Sequence, residues 1–162
     1  MRLIEVENIK SLTTALFAKD SFDKFLVTEA SISALNTFTF DGHINDSYLD
    51  EKEAALPDYK EGIVYWSKIK PLCYEIIKGK KVPLRFKIVF ALPKHLFSAF
   101  LKKAQLDMNP DNINALFLNI GFQANHLTCT TAISLKSFSL DKSLENAWDE
   151  YINKFIISLQ EE

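Results

Sequence analysis

Five basic side chains within ten residues form the densest charged stretch of this chain, and the stretch contains no acid. They are Lys78, Lys80, Lys81, Arg85 and Lys87. Residues 68–87 together hold seven bases and one acid, a net charge of +6, whereas the whole chain is −2 at pH 7 and the remainder is therefore −8. Such asymmetry indicates a positive patch on an acidic body. Its lysines and a bidentate arginine could hold the phosphates of a nucleic acid or a small anion.

The basic stretch also has a purely structural interpretation. Lysines beside Gly79 would stabilise the C-terminal end of a helix through its dipole, and the alternate bases Arg85 and Lys87 would lie on a solvated strand face. No RNA-recognition aromatic motif, zinc finger or helix-turn-helix pattern accompanies the stretch. The sequence therefore allows two interpretations of the basic stretch, an anion-binding site and a solvated surface.

The three histidines are scattered along the chain. His43 lies in the segment Asp41–Asp46, which contains oxygen and nitrogen ligands but matches no calcium or zinc spacing. An Asp-Gly pair after a strand is typical of a turn, so we predict a turn there and no metal. His95 is predicted in the first turn of a helix, and His126 at the tip of a hairpin. Neither is expected to be a ligand.

The two cysteines, Cys73 and Cys129, stand 56 positions apart and form no C-x-x-C pair. Cys73 falls on the apolar side of a predicted helix and Cys129 in an alternating strand. We therefore predict two buried structural thiols in a reducing compartment.

Motifs for catalysis and cofactor binding are absent from the sequence. The four glycines are isolated from one another, which excludes a P-loop and a dinucleotide fingerprint, and there is no G-x-S-x-G elbow. We expect no cofactor and predict a non-catalytic binding or interaction module. The alternatives are a small enzyme whose site assembles only in space, and a structural subunit of a homo-oligomer with an apolar patch on its last helix.

Length and composition are those of an ordinary globular domain. The 162 residues are 48% hydrophobic and 25% charged, which predicts a single domain over residues 1–162 with enough core to fold without disulfides. The N-terminus lacks the apolar stretch of a signal peptide, and no run reaches the roughly 18 apolar residues of a membrane helix. We therefore expect a cytoplasmic protein that does not contact a membrane.

Hydrophobic periodicity in the first third predicts a strand, a helix and two further strands. The first strand covers residues 2–6, and Asn8 is the expected cap of the helix. The next two strands lie between Phe25 and Gly42, with a break or bulge near residues 31–34. Residues 44–62 are rich in acids and interrupted by a proline, which predicts an exposed mobile loop with one helical turn near Tyr48.

The middle of the chain predicts a helix, a strand and a second helix. Ser67 is the expected N-cap of the first helix, with Trp66 before it as a hydrophobic staple, Pro71 in its first turn and Gly79 at its C-terminal end. Residues 84–92 alternate strictly, so apolar side chains would lie beneath the strand and bases above it. Pro93 is expected to open the second helix.

The last third predicts a hairpin over residues 114–122 and 127–136, followed by a helix over residues 141–159. The whole order predicts an α+β fold. It contains two β-α-β-β units with antiparallel hairpins, helices packed on the sheet and a long C-terminal helix.

The chain resembles a family of uncharacterised bacterial proteins with a domain of unknown function, and the similarity covers most of the chain. The matching segments are Trp66-Ser67, Lys70–Cys73, Lys78–Lys81, Pro83-Leu84, Phe86-Lys87 and Phe38–Gly42. No activity is assigned to that family, so the resemblance implies no catalytic residues.

The predicted architecture is also similar to one domain of a DNA sliding clamp, through its two β-α-β-β units, acidic body and single basic side. This resemblance implies non-specific contacts to DNA phosphates and assembly of several copies into a ring. The helix after Ser67 and the long C-terminal helix depart from the clamp pattern.

Overall fold

The computed structural model describes residues 1–161. Its strands are β1 Leu3–Glu5, β2 Leu26–Ser33, β3 Thr37–Asp41, β4 Arg85–Ala91, β5 Ile113–Gln123 and β6 His126–Leu135. Its α-helices are α1 Ile9–Phe17, α2 Glu51–Ala54, α3 Trp66–Ile77, α4 Phe97–Lys103 and α5 Ser143–Gln160. Short 3₁₀ turns occupy Asp46–Tyr48, Pro57–Tyr59, Lys94–Leu96 and Pro110–Asn112.

The six strands form one antiparallel sheet in the order β1-β6-β5-β4-β2-β3. The predicted α+β class, the antiparallel hairpins and the long C-terminal helix are confirmed. One feature of the first β-α-β-β unit was not predicted. Its opening strand β1 lies at the far edge beside β6, where Ile4 pairs with Cys129, instead of next to β2.

The two faces of the sheet differ completely in what they contact. On β4, Phe86, Ile88 and Phe90 are buried, whereas Arg85 and Lys87 are exposed on the opposite face, as the alternation predicted. Helices α1, α3 and α5 pack over the buried face, and α4 joins them through Phe100. The other face carries mainly small or polar side chains from the central strands.

Aromatic rings hold the helical layer to the sheet, and Trp66 stands at their centre. Its ring meets Phe90 edge-on at 5.4 Å between centroids and Phe17 at 5.9 Å. Its indole N–H donates to the carbonyl oxygen of Leu16 at 2.8 Å. Trp66 is fully buried inside α3. The predicted cap at Ser67 was therefore wrong: the cap is Tyr65, two residues earlier, and Trp66 is the first residue of the helix instead of a staple before the cap.

The start of α3 is set by backbone contacts, since its N-cap Tyr65 makes no side-chain capping bond. Pro71 lies in the helix interior, beyond the first turn in which it was predicted. The prediction for Gly79 is confirmed, because this residue follows the helix with a positive φ of 127°.

The acidic segment between β3 and α3 is more helical than the single predicted turn. It contains α2, whose Asp50 and Glu53 form a capping box, as well as 3₁₀ turns on either side. The backbone of Gly42 anchors the segment. Its N–H donates to the carbonyl oxygen of Thr28, and its own carbonyl oxygen accepts from the N–H of Val64. A bulge lies between Val27 and Glu29 and not at residues 31–34. Residues 31–33 are the paired end of β2, and the break between the two strands is the turn at residues 34–36.

The hairpin between β5 and β6 matches its prediction closely. Ala124 and Asn125 form the two-residue turn, and both have positive φ, 51° and 61°. That pair of conformations matches the right-handed twist of the two strands. Among residues 1–161, no helix combines the length and the apolar content that crossing a membrane requires.

We expect Trp66→Ala to lower the free energy of unfolding by about 3–5 kcal/mol, because it opens a cavity beneath two rings and leaves the Leu16 carbonyl without a donor. Leu72→Ala on the same helix is the matched control. Leu72 is 55% exposed, so its truncation should cost less than about 1 kcal/mol. Urea denaturation followed by circular dichroism measures both, and equal losses would contradict the central position of Trp66.

Gly42→Ala should destabilise the protein by about 3 kcal/mol or more. A Cβ at this position would lie 1.7 Å from the carbonyl oxygen of Val27, which is a backbone atom and cannot rotate away. Gly121→Ala provides the comparison, since its Cβ would meet nothing closer than Thr128 Oγ1 at 3.9 Å. Thermal unfolding of the two variants should separate them clearly. If the Gly42→Ala variant unfolded at the same temperature as the wild type, β2 and the acidic segment would not be in close contact at this position.

Candidate functional site

The basic stretch runs from the end of α3, through a connector over residues 78–84, into β4. Two of its five bases are neutralised by neighbours. Lys78 Nζ lies 2.6 Å from Glu75 Oε2, and this hydrogen bond raises the pKa of Lys78. Lys87 Nζ lies 3.1 Å from Glu29 Oε1 on the adjacent strand. Within residues 1–161, Lys80, Lys81 and Arg85 form no salt bridge.

The structure does not bring the five predicted site residues onto one surface. Arg85 and Lys87 lie on the uncovered face of the sheet, because they alternate with buried Phe86 and Ile88. Lys81 instead lines a groove on the helical side. A run of bases that is continuous in sequence is thus divided between opposite sides of the sheet.

The groove on the helical side lies between α1 and the connector, and we call it the α1 groove. It has a volume of about 420 Å³. Phe86 and Phe122 form its floor, with their rings stacked at 5.4 Å between centroids. Val82 and Pro83 form one wall, and Lys81 lies beside them. Among residues 1–161, those lining this groove include no Asp, Glu, His or Cys.

Helix α1 supplies the second cation of the groove, Lys10, together with Thr14 and Phe17. These residues are spaced by one and two turns and therefore share a face of the helix. Asn8 fixes the start of α1 by accepting from the backbone of Ser11, and its own side chain donates to the Gln160 carbonyl at the end of α5. Neither Lys10 nor Lys81 forms a salt bridge within the described residues 1–161.

Sequence reasoning missed Lys10, which is about seventy positions from the basic stretch. Lys10 and Phe17 are seven positions apart and therefore share a face of α1, but no local signal shows which other segment lies across from that face. The pairing depends on α1 packing between α3 and α5, which is a tertiary arrangement.

The uncovered face of the sheet holds a second groove of about 600 Å³ beneath the acidic segment. Its charged groups are largely satisfied by one another. Glu29 pairs with Lys87, and Glu61 accepts from the backbone N–H of Lys94 at 2.9 and 3.1 Å. This groove therefore offers mixed charges that are already paired, in contrast to the α1 groove.

Each histidine has a carboxylate beside it. His43 and Glu61, the partner of His95, both line the groove on the uncovered face, whereas His126 lies beside the β5–β6 turn. His43 Nδ1 is 2.7 Å from Asp41 Oδ1 after β3, and the bonds from the backbone and ring of His43 lower the pKa of Asp41. His126 Nδ1 is 3.2 Å from Glu5, and His95 Nδ1 is 3.8 Å from Glu61. No three His, Cys, Asp or Glu residues between 1 and 161 converge to hold a metal ion.

Both cysteines are free and buried, as predicted. Burial raises the pKa of the Cys73 thiol and of the Cys129 thiol to about 12. Since the thiolate is the nucleophilic form, these side chains remain protonated and unreactive at neutral pH.

Comparison with known proteins gives one match. The model of a family of unknown function (DUF5721) matches residues 15–161. No curated protein and no solved structure matches the chain. The resemblance to a family whose function is unknown is therefore confirmed.

The buried cysteines predict slow thiol labelling in the folded protein. At about pH 8 we expect a disulfide-exchange reagent to leave Cys73 and Cys129 unmodified, and to label both in denaturant. Because burial raises both pKa values, the rate should stay low as the pH rises toward 9 or 10. Absorbance of the released chromophore counts the modified thiols. Rapid labelling without denaturant would contradict the burial of the thiol concerned.

Proposed function

The chain belongs to DUF5721, a family of unknown function, and we propose that it is a binding module whose α1 groove holds a small amphipathic anion. The observation that carries this proposal is the composition of the groove. Two lysines without a salt-bridge partner among residues 1–161 lie beside stacked phenyl rings, and no acid among those residues lines the groove. An anionic group at Lys10 and Lys81 and an apolar body over Phe86 and Phe122 would match both features.

Charge supports an anion over a neutral ligand. Lys10 and Lys81 are exposed lysines with no carboxylate partner in the described residues. Lys80 adds a third positive charge next to Lys81 in the connector. A carboxylate, sulfonate or phosphate that contacted two of these ammonium groups would gain charge-assisted hydrogen bonds without displacing an existing ion pair.

Shape and polarity support an apolar body on the same ligand. The groove volume of about 420 Å³ lies within the usual range of small-molecule sites, roughly 300–1,000 Å³. Phe86 and Phe122 line the groove, although they are only 5% and 7% exposed. An inorganic phosphate would use the lysines but leave this apolar floor uncovered.

The residues that line the groove support binding without catalysis. Its lining residues include no His, Cys, Asp or Glu that could act as nucleophile or general base near neutral pH. Its hydroxyls belong to Thr13 and Thr14, which donate to the backbone carbonyls of Ile9 and Lys10 in their own helix. Neither is activated by an adjacent base.

A nucleic-acid ligand, the other form of the proposal, has weaker support from the geometry. Its predicted contact residues are divided between two faces, and both Lys78 and Lys87 already have carboxylate partners. A strand that followed the connector could reach Lys80 and Lys81, but the uncovered face would then contribute little. Binding of an oligonucleotide therefore distinguishes the two forms of the proposal.

We expect anilinonaphthalene sulfonate, which combines a sulfonate with an aromatic body, to bind saturably and to fluoresce in the α1 groove. Lys10→Glu and Lys81→Glu should each weaken its affinity about tenfold or more, since each replaces an attraction by a repulsion. Lys102→Glu on α4 is the matched control. Its lysine is exposed and lies outside the groove, so the affinity should change less than about twofold.

Competition by two compounds shows whether the anionic group alone, or the anionic group together with an apolar body, is needed for binding. Decanoate, which has a carboxylate and an acyl chain, should displace the probe far better than inorganic phosphate does. Unchanged probe binding in Lys10→Glu and Lys81→Glu would overturn the proposal. A single-stranded oligonucleotide whose binding is lost in Arg85→Glu but kept in Lys10→Glu would favour the nucleic-acid form instead.

A further inference from the structure

The two edge strands of the sheet differ in how well they are protected against pairing with another chain. β1 is three residues long, and a strand this short offers little to a partner. β3 is five residues long and reads Thr-Phe-Thr-Phe-Asp, with no lysine, proline or bulge. Four of its five residues are exposed, among them Phe38. A strand of high β propensity at an unprotected edge is a site where a further strand can add.

The hydrogen-bond pattern shows which backbone groups of β3 are available. Just after β3, Gly42 N donates to Thr28 O, and just before β3, Ala34 N donates to Asn36 O across the turn, so both bonds join β3 to β2. Because bonded pairs alternate in an antiparallel ladder, Phe38 and Phe40 direct their N–H and C=O groups toward β2. The N–H and C=O groups of Thr37, Thr39 and Asp41 therefore point away from the sheet.

These outward groups are self-complementary. If two copies of β3 pair antiparallel about a two-fold axis at Thr39, Thr37 of each copy lies opposite Asp41 of the other. All three outward residues of each copy are then bonded, which gives about six backbone hydrogen bonds. A shift of two residues in either direction leaves one of the three unpaired, and a shift of one residue opposes outward groups to inward ones.

The side chains agree with the same register. Phe38 of one copy lies opposite Phe40 of the other on the helical side, and aromatic cross-strand pairs stabilise a sheet. On the uncovered side Thr37 lies opposite Asp41, so like charges do not face each other. Both bonds from His43 to Asp41 use Oδ1, which leaves Oδ2 for a hydroxyl of the second copy.

We propose that β3 is the interface of a homodimer, in which two copies of this chain pair their β3 strands antiparallel about Thr39 and join their sheets into one. A second copy of the chain fits this edge. Pairing β3 with itself completes the outward backbone hydrogen bonds, brings the phenylalanines together and keeps like charges apart. The predicted apolar patch on the last helix does not supply this interface, since Ile157 is the one large hydrophobic residue that α5 exposes within residues 1–161.

Sedimentation velocity at increasing concentration tests the dimer. We expect a species of twice the 18.5 kDa chain mass to accumulate with concentration. Thr39→Lys and Thr39→Glu should each raise the dissociation constant about tenfold or more, because the two substituted residues face each other across the axis. An equimolar mixture of the two variants should restore the dimer, because lysine then faces glutamate.

Thr128→Lys on β6 is the matched control. It places the same charge on the same face of the sheet, opposite Glu5 and away from the β3 edge, so dimerisation should be unchanged. Circular dichroism verifies that each variant is folded. A wild-type protein that stays monomeric up to about 1 mM would overturn the proposal. So would a ring of three or more copies, an unaffected Thr39→Lys dimer, or a charge-paired mixture that stays monomeric.

Discussion

The contact between the Trp66 indole and the Leu16 carbonyl is the interaction on which the helical layer depends. It joins α3 to the end of α1, while the ring itself rests against Phe90 of the central strand β4. Phe17, the next residue along α1, then packs edge-on against Phe86 at 5.3 Å. The position of α1 over the sheet follows from these ring contacts, and so does the distance between α1 and the connector. The α1 groove is therefore a consequence of how the core is packed.

The alternation of a β-strand explains why a cluster of charge in the sequence is not a cluster in space. Successive side chains of β4 point to opposite faces, and the helices cover one of these faces. The side chains of Arg85 and Lys87 consequently lie on the opposite face of the sheet from the α1 groove, which Lys81 lines. Salt bridges also occupy two of the five bases, because Glu29 on β2 pairs with Lys87 and Glu75 on α3 pairs with Lys78. The cation that joins Lys81 at the groove comes from α1, far away in the chain.

Local sequence signals predicted most helices and strands of this fold. The features that they missed depend on contacts between residues far apart in the sequence. The β5–β6 hairpin could be predicted because its turn and its alternation lie in neighbouring residues. The place of β1 beside β6 could not, since Ile4 pairs with Cys129 across most of the chain. The start of α3 was misplaced for a similar reason. Ser67 is a good capping residue, but burial of Trp66 against α1 outweighs a capping bond worth about 1 kcal/mol. Lys80 and Lys81 were found from the sequence, whereas Lys10 required the packing of α1.

The β3 edge and the α1 groove lie on different parts of the molecule, yet one residue connects them. Ser33, at the end of β2, is paired with Thr37 of β3 on one side and with Arg85 of β4 on the other. Its hydroxyl meets the Thr37 hydroxyl at 2.9 Å, and its carbonyl accepts from Leu84 N, the last residue of the connector, at 2.8 Å. The connector is thus fastened at one end to α3 and at the other to the hairpin that carries β3. The hydrogen bond from Leu84 to Ser33 therefore links the connector, which forms one wall of the α1 groove, directly to the hairpin that carries the β3 edge.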